Sequence, residues 1–362
     1  MEEKKSYLYL IFVLSFIIVI SIAFAVFNSR GAASHPGFEK CNTVQYNGED
    51  KINVLLFASE KEARAYTDFF LATSPYNEQR QNFNIYYIDS FKPECVLYKD
   101  IALFCDSADL RKSAASCPND LIAVIKDDDS KIRSSSYRGV LSINSQHEKT
   151  VLTHEMGHAI ARLAEEYENG QKPVSGSKNC KSSCEGFSED YEGEIDGCFE
   201  GCSQAQLFRS IENGVMRTLS SNEYGNYNVF LINSNLGQRL DYTGSLLTGR
   251  QVEELNSCQD KEYLLVDVLN PNNVEYGRGC ASIGIGGDKL TVTKEDAIVF
   301  SGYYDQPVLF TDAPEDNGLL EGETYFDSNL PFLITAPYGG DTLVIGDKEI
   351  DISQAGDEPC RR

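Results

Sequence analysis

The 362-residue chain has no tryptophan, only four histidines, and 32 Lys and Arg against 55 Asp and Glu. Without Trp, and with its Tyr scattered rather than clustered, it offers no aromatic platform for carbohydrate. The shortage of cations leaves a net charge of −23. Phosphate backbones are neutralised by clustered Lys and Arg, so nucleic acid is excluded as a partner. Internal repeats and low-complexity tracts are also missing. The acids Glu185, Glu189, Asp190, Glu192, Glu194, Asp196 and Glu200 lack the spacing of an EF-hand and read as a solvated loop. Apolar and charged contents of 41% and 24% are those of a globular protein. The length suits about two domains of roughly 150 residues.

Residues 7–27 carry no charge, and Lys4 and Lys5 precede them. At about 1.5 Å per residue such a run covers roughly 30 Å, one bilayer span, and the Lys pair would keep the N-terminus inside. Ala23-Phe24-Ala25 gives the competing reading of a cleaved signal peptide. Either way the body lies outside the cytoplasm. Eleven cysteines agree, reading as a disulfide framework with an odd thiol left over. The pairs Cys180, Cys184 and Cys198, Cys202 could also form a zinc ribbon, but an exported chain favours sulfur–sulfur bonds.

The expected organisation is a cytoplasmic stub (1–6), a membrane anchor or signal (7–27), a linker (28–50), a mixed α/β domain (51–258) and a small all-β, sandwich-like domain (259–362). In the α/β part, residues 52–57, 83–88, 121–125 and 140–143 read as strands. Ser59 and Glu62 form a capping box for a helix with Ala63, Tyr66 and Phe70 on one face. Residues 168–205 read as a long disulfide-pinned loop. Residues 263–269, 289–293, 297–300, 332–335 and 342–345 are short β-type runs punctuated by turn residues. The strand at 140–143 is expected to be an edge along which an extended substrate could pair.

Chemistry concentrates in residues 144–167. Ser145 and Glu148 suggest a capping box, and Val151, Leu152, Ile160 and Leu163 an apolar stripe. Inside it stands His154-Glu155-Met156-Gly157-His158, an HExxH motif. Imidazoles at i and i+4 share one helix face and can bind the same Zn²⁺, with Glu155 placed as the proton acceptor for an attacking water. No histidine follows His158, so the third ligand should be a carboxylate, Glu165 or Glu166. A continuous helix would carry either about 10–12 Å beyond His158 along its axis, too far to share a metal. The helix must therefore break near 161–164.

HEMGHAIARLAEEY resembles the HEfGHxxxxLaDEY block of the IgA-peptidase family of exported, metzincin-like zinc metallopeptidases. Residues 53–57, 74–86 and 209–217 resemble further segments of that family. The resemblance implies a metzincin-like fold and Glu155 as the catalytic base. It also implies zinc on His154, His158 and Glu165, with Met216 as the Met-turn residue under the metal. It differs in having Glu where the family usually has Asp, and Ala161-Arg162 where a smaller residue eases the turn. The expected function is a membrane-anchored, outward-facing zinc metallopeptidase acting on a peptide or protein. The alternative is a catalytically silent surface-binding protein on the same scaffold.

Overall fold

The fold is given by a computed structural model that describes residues 39–246, 258, 261–282, 284, 285, 287–314 and 320–353. The apolar run at 7–27 lies outside them. Among the described residues no helix is long and apolar enough to cross a membrane.

Strands β1 (Asn42–Gln45) and β2 (Ile52–Phe57) precede helix α1 (Glu60–Phe70), which leads to β3 (Phe83–Ile88). A short hairpin, β4 (Val96–Tyr98) and β5 (Ala102–Phe104), is followed by helix α2 (Ala108–Ala114). Then come β6 (Leu121–Lys126), β7 (Ser134–Tyr137), β8 (Val140–Asn144) and helix α3 (Thr150–Ala161). A second hairpin, β9 (Phe199–Cys202) and β10 (Gln204–Arg209), precedes helix α4 (Asn226–Leu246). The remainder is β: β11 (Glu262–Asp267), β12 (Val274–Arg278), β13 (Asp288–Lys294) and β14 (Ala297–Tyr304). It ends with β15 (Val308–Pro314), β16 (Leu320–Phe326), β17 (Leu333–Pro337), β18 (Thr342–Ile345) and β19 (Lys348–Asp351).

One mixed sheet of eight strands organises the molecule, in the order β1-β3-β2-β6-β8-β7-β15-β16. Its centre is parallel: β2 pairs with β3 and β6, and β6 with β8. Parallel strands are covered on both faces, so they read as continuous apolar runs, and β3 is buried along its whole length. Side chains alternate across the sheet. Val54 and Leu56 pack in the core with α1 and α3, whereas Leu55 and Phe57 join Leu110 of α2 in another. Ser59 and Glu62 form the expected capping box on α1.

The expected linker is partly built into this sheet. Strand β1 pairs with β3, and Cys41 is bonded to Cys117. Four further disulfides join Cys95 to Cys105, Cys180 to Cys202, Cys184 to Cys198 and Cys258 to Cys280. The zinc-ribbon cysteines are thus consumed as disulfides, and Cys360 lies outside the described residues. Five such bonds fit an extracellular or secreted protein.

The expected edge at 140–143 is not an edge. Strand β8 lies between β6 and β7, and β7 is in turn covered by β15. Residues 134–137 (SSSY) carry no apolar run, so the sequence hid the strand that takes the place beside β8. The remaining C-terminal strands form a three-stranded sheet (β12-β11-β17) and a four-stranded one (β14-β13-β18-β19). Their apolar residues, Leu264, Val292, Ile334 and Leu343 among them, form one shared core. Gly279 brings this part against α2. Its φ is +144°, Ala115 O accepts from the next amide at 2.8 Å, and a Cβ there would strike Ala115.

Candidate metal centre

Helix α3 carries the HExxH residues and is buried all round. The capping box expected from Ser145 and Glu148 does not form, and the helix begins at Thr150 with no side-chain cap on Lys149. Asn144 is the reason. Its Oδ1 accepts from Gln146 N at 3.1 Å and its carbonyl from His147 N at 3.1 Å, an Asx-type turn that postpones the helix.

The break required by the spacing occurs at Arg162. Its φ of +50° is left-handed, its N–H donates to His158 O at 3.0 Å, and Leu163 N donates to Gly157 O at 3.2 Å. This is a Schellman-type ending, adopted here by a residue with a Cβ. Arg162 is held in place by Asp305, whose Oδ1 lies 3.0 Å from Nε, and by Ser177 Oγ, which donates to Arg162 O at 2.6 Å.

The chain then folds back beneath the helix. Asn179 brackets Ala164 at both its N–H and C=O, each at 2.8 Å, and Ser203 Oγ donates to Glu165 O at 2.9 Å. Glu166 N donates to Met216 O at 2.9 Å. So fixed, the two glutamates part. The Glu165 carboxylate reaches both imidazoles, with Oε1 3.1 Å from His158 Nε2 and Oε2 3.5 Å from His154 Nε2. Glu166 turns away and accepts from Asn228 Nδ2 at 2.8 Å and Asn179 Nδ2 at 3.3 Å. Burial raises its pKa to about 7.

A fourth donor comes from the far end of the chain. Asp312, on β15, places Oδ2 3.2 Å from His154 Nε2 and 3.7 Å from His158 Nε2. Its other oxygen accepts from Tyr167 Oη at 2.5 Å. Ligand atoms of His154, His158, Glu165 and Asp312 all lie within 4.8 Å of one another, and all four residues are buried. Sequence reasoning missed Asp312. The apolar run 308–310 suits a strand, but nothing local says which pocket Asp312, two residues on, enters.

The donor chemistry fits a metal ion. His154 Nδ1 lies 2.9 Å from Val215 O and His158 Nδ1 2.6 Å from Leu163 O, so both protons sit on Nδ1. The two Nε2 lone pairs therefore face each other at 3.0 Å. A tetrahedral ion with bonds of about 2.0–2.1 Å separates its ligand atoms by about 3.3–3.4 Å. The spacings here scatter around that value. Glu165 Oε1 and Oε2 and Asp312 Oδ2 are buried with no hydrogen-bond donor. Burial opposes charge on His154, yet Asp312 and Glu165 outweigh it and hold the imidazole pKa up to about 9. Surroundings that draw a proton this strongly also draw a cation.

Glu155 is fully buried, and neither carboxylate oxygen has a hydrogen-bond partner. Burial, and then the charge of Asp312, push its pKa well above the usual carboxylate range. Met216 is buried in the loop after β10, and its Sδ would lie 2.6 Å from a Cβ on Gly157. That places the thioether against the turn of α3 between the two histidines. His154, Glu155, His158, Glu165 and Met216 are thus brought together, and Glu166 is not among the four converging donors. No protein-family model matches the chain, and no curated protein is similar to it.

Proposed function

We propose that this chain is a zinc-dependent metallopeptidase working outside the cytoplasm, on a metzincin-like layer with a sandwich-like C-terminal part. The uncharged run 7–27 supports a membrane tether for it. His154, His158 and Glu165 would hold the zinc, and Asp312 adds a fourth donor in the arrangement described. When bound, zinc acts as a Lewis acid that polarises a peptide carbonyl and acidifies water.

Glu155 carries the reading. Burying a carboxyl group with no hydrogen-bond partner costs free energy, and packing gains nothing from it. A group so placed, with its proton affinity raised above that of an ordinary carboxylate, suits proton transfer. It would take a proton from the attacking water and deliver it to the departing amine nitrogen.

One observation favours a second reading. Structural zinc sites are closed by four protein ligands, whereas catalytic ones keep a position open. With Asp312 in place the centre has four donors, which suits a silent binding protein. The orphaned Glu155 weighs against this, since a purely structural site has no use for it.

The test pairs metal content with hydrolysis. Elemental mass spectrometry should give about one zinc per chain, retained in Glu155→Gln and lost when His154 and His158 are both changed to Ala. Cleavage of a peptide library, followed in the wild type and in Asp312→Ala, should vanish from each when Glu155→Gln is added. Zinc bound with no Glu155-dependent cleavage in either background would leave the binding protein as the better account.

A further inference from the structure

Strand β15 runs antiparallel along β7 with Leu309 opposite Tyr137, Phe310 opposite Ser136, Thr311 opposite Ser135 and Asp312 opposite Ser134. This is how an extended peptide adds to a sheet. Every second side chain faces the site. Phe310 stacks on the His158 ring, centroids 4.0 Å apart and planes 11° from parallel. Val308 packs with Phe310 and Val174, and Asp312 brings Oδ2 to 3.2 and 3.7 Å from the two Nε2 atoms.

Strand β16 pairs with β15 along its other side. Gly322 stands opposite Asp312, and a Cβ on it would collide with Thr311 O, Asp312 Oδ1 and Tyr167 Oη. The absent side chain is what lets β16 pair directly beside the aspartate. Beyond its ladder with β15, β16 is held by Leu320 N to Arg217 O at 3.1 Å, Thr324 N to Gln171 Oε1 at 2.7 Å, a Glu321–Arg133 pair whose acid is mostly exposed, Leu320 in the main core and Tyr325 against the Tyr98 ring.

Resting on the peptidase reading, we infer that β15 is a built-in occupant of the substrate cleft. Asp312 takes the position that substrate and water need, and the chain is latent until β15 and β16 leave β7. The strand also outlines its replacement, an extended peptide antiparallel to β7. That peptide carries a bulky apolar side chain two residues before the one nearest the metal, where Phe310 now stacks.

The test uses the full chain loaded with cobalt(II), whose visible absorption reports changes in ligation, and acetohydroxamate as the probe. The wild type should show no spectral response to millimolar acetohydroxamate, and Asp312→Ala should respond. Zinc-loaded Asp312→Ala should cleave unstructured peptides at least tenfold faster than wild type. Tyr167→Phe removes only the hydroxyl that steadies Asp312. It should shift both readouts the same way by a smaller factor, which covers the case in which Asp312→Ala does not fold. A wild type that already responds to the probe, or that cleaves as fast as the variants, overturns the inference. So does a folded Asp312→Ala that no longer binds cobalt, because Asp312 is then a structural ligand. A variant that opens to the probe yet cleaves nothing upholds the closure and removes the peptidase reading beneath it.

Discussion

Glu165 and Glu166 are adjacent, identical in type and both buried, yet only Glu165 faces the imidazoles. Removing charge from each therefore has unequal effects. Glu165→Gln should weaken zinc binding by more than the roughly 10–100-fold typical of an outer-shell partner. Glu166→Gln should leave it within a few-fold, as read by competition with a chromophoric chelator. Residue type alone does not separate the two, because their directions depend on the backbone turn at Arg162; only the family resemblance singles out Glu165. His147 offers a residue-scale check away from the site. Its Nε2 lies 3.0 Å from Ser130 O, and burial lowers its pKa below the usual 6.5. The folded state then binds fewer protons than the unfolded one below about pH 6.5, so stability contributed there is lost as pH falls. His147→Gln should be less stable than wild type at pH 7.5, with the gap narrowing toward pH 5 in denaturant melts.

Helix α3 shows what periodicity reveals and what it conceals. Imidazoles at i and i+4 had to share a face, and a carboxylate ligand required an interrupted helix; both are legible in HEMGHAIARLAEE. The start of the helix was misread, because the Asn144 turn competes with the capping pattern at Ser145 and Glu148. Packing against the Met216 loop is likewise invisible to periodicity. At Gly157 a Cβ would lie 2.6 Å from Met216 Sδ, 3.0 Å from Tyr224 Cε1 and 3.3 Å from Leu163 Cδ1. Helix propensity favours Ala over Gly by about 1 kcal/mol, whereas overpacking a tight core costs about 1–3 kcal/mol. The Tyr224 hydroxyl donates to Thr153 O, so its ring cannot easily yield. Gly157→Ala should therefore lower the melting temperature and weaken zinc binding together. The Cys180–Cys202 bond acts on the loop below the helix. Both sulfurs lie 3.7 Å from Glu165 O, beside the Ser203 hydroxyl. Changing both cysteines to Ser should cost about 3 kcal/mol for a loop of this size and raise zinc dissociation at least tenfold while the large sheet persists.

At the scale of the molecule, composition separates an α/β part from a β part, but it does not show that two strands of the second complete the sheet of the first. Strand pairing between segments distant in sequence leaves no local trace, and Asp312 was hidden for the same reason. This topology couples the metal to the C-terminal strands. A cation on His154, His158, Glu165 and Asp312 would tie α3, the loop after it and β15 into one unit, whereas without it two carboxylates would face each other across a buried pocket. A ligand present at 100 times its dissociation constant stabilises the folded state by about 2.7 kcal/mol. One kcal/mol moves the melting temperature of a larger domain by about 2–4 °C. Chelation should thus lower the transition by roughly 5–10 °C in the wild type, and by less in Asp312→Ala, which has one tie fewer. Hydrogen exchange locates the effect: amides of 308–314 and 320–326 should lose protection on chelation, while those of 52–57 and 83–88, deep in the parallel centre, should keep theirs. Equal protection at 308–314 with and without chelator would show that β15 is held by its strand pairing alone, and that Asp312 does not link it to the metal.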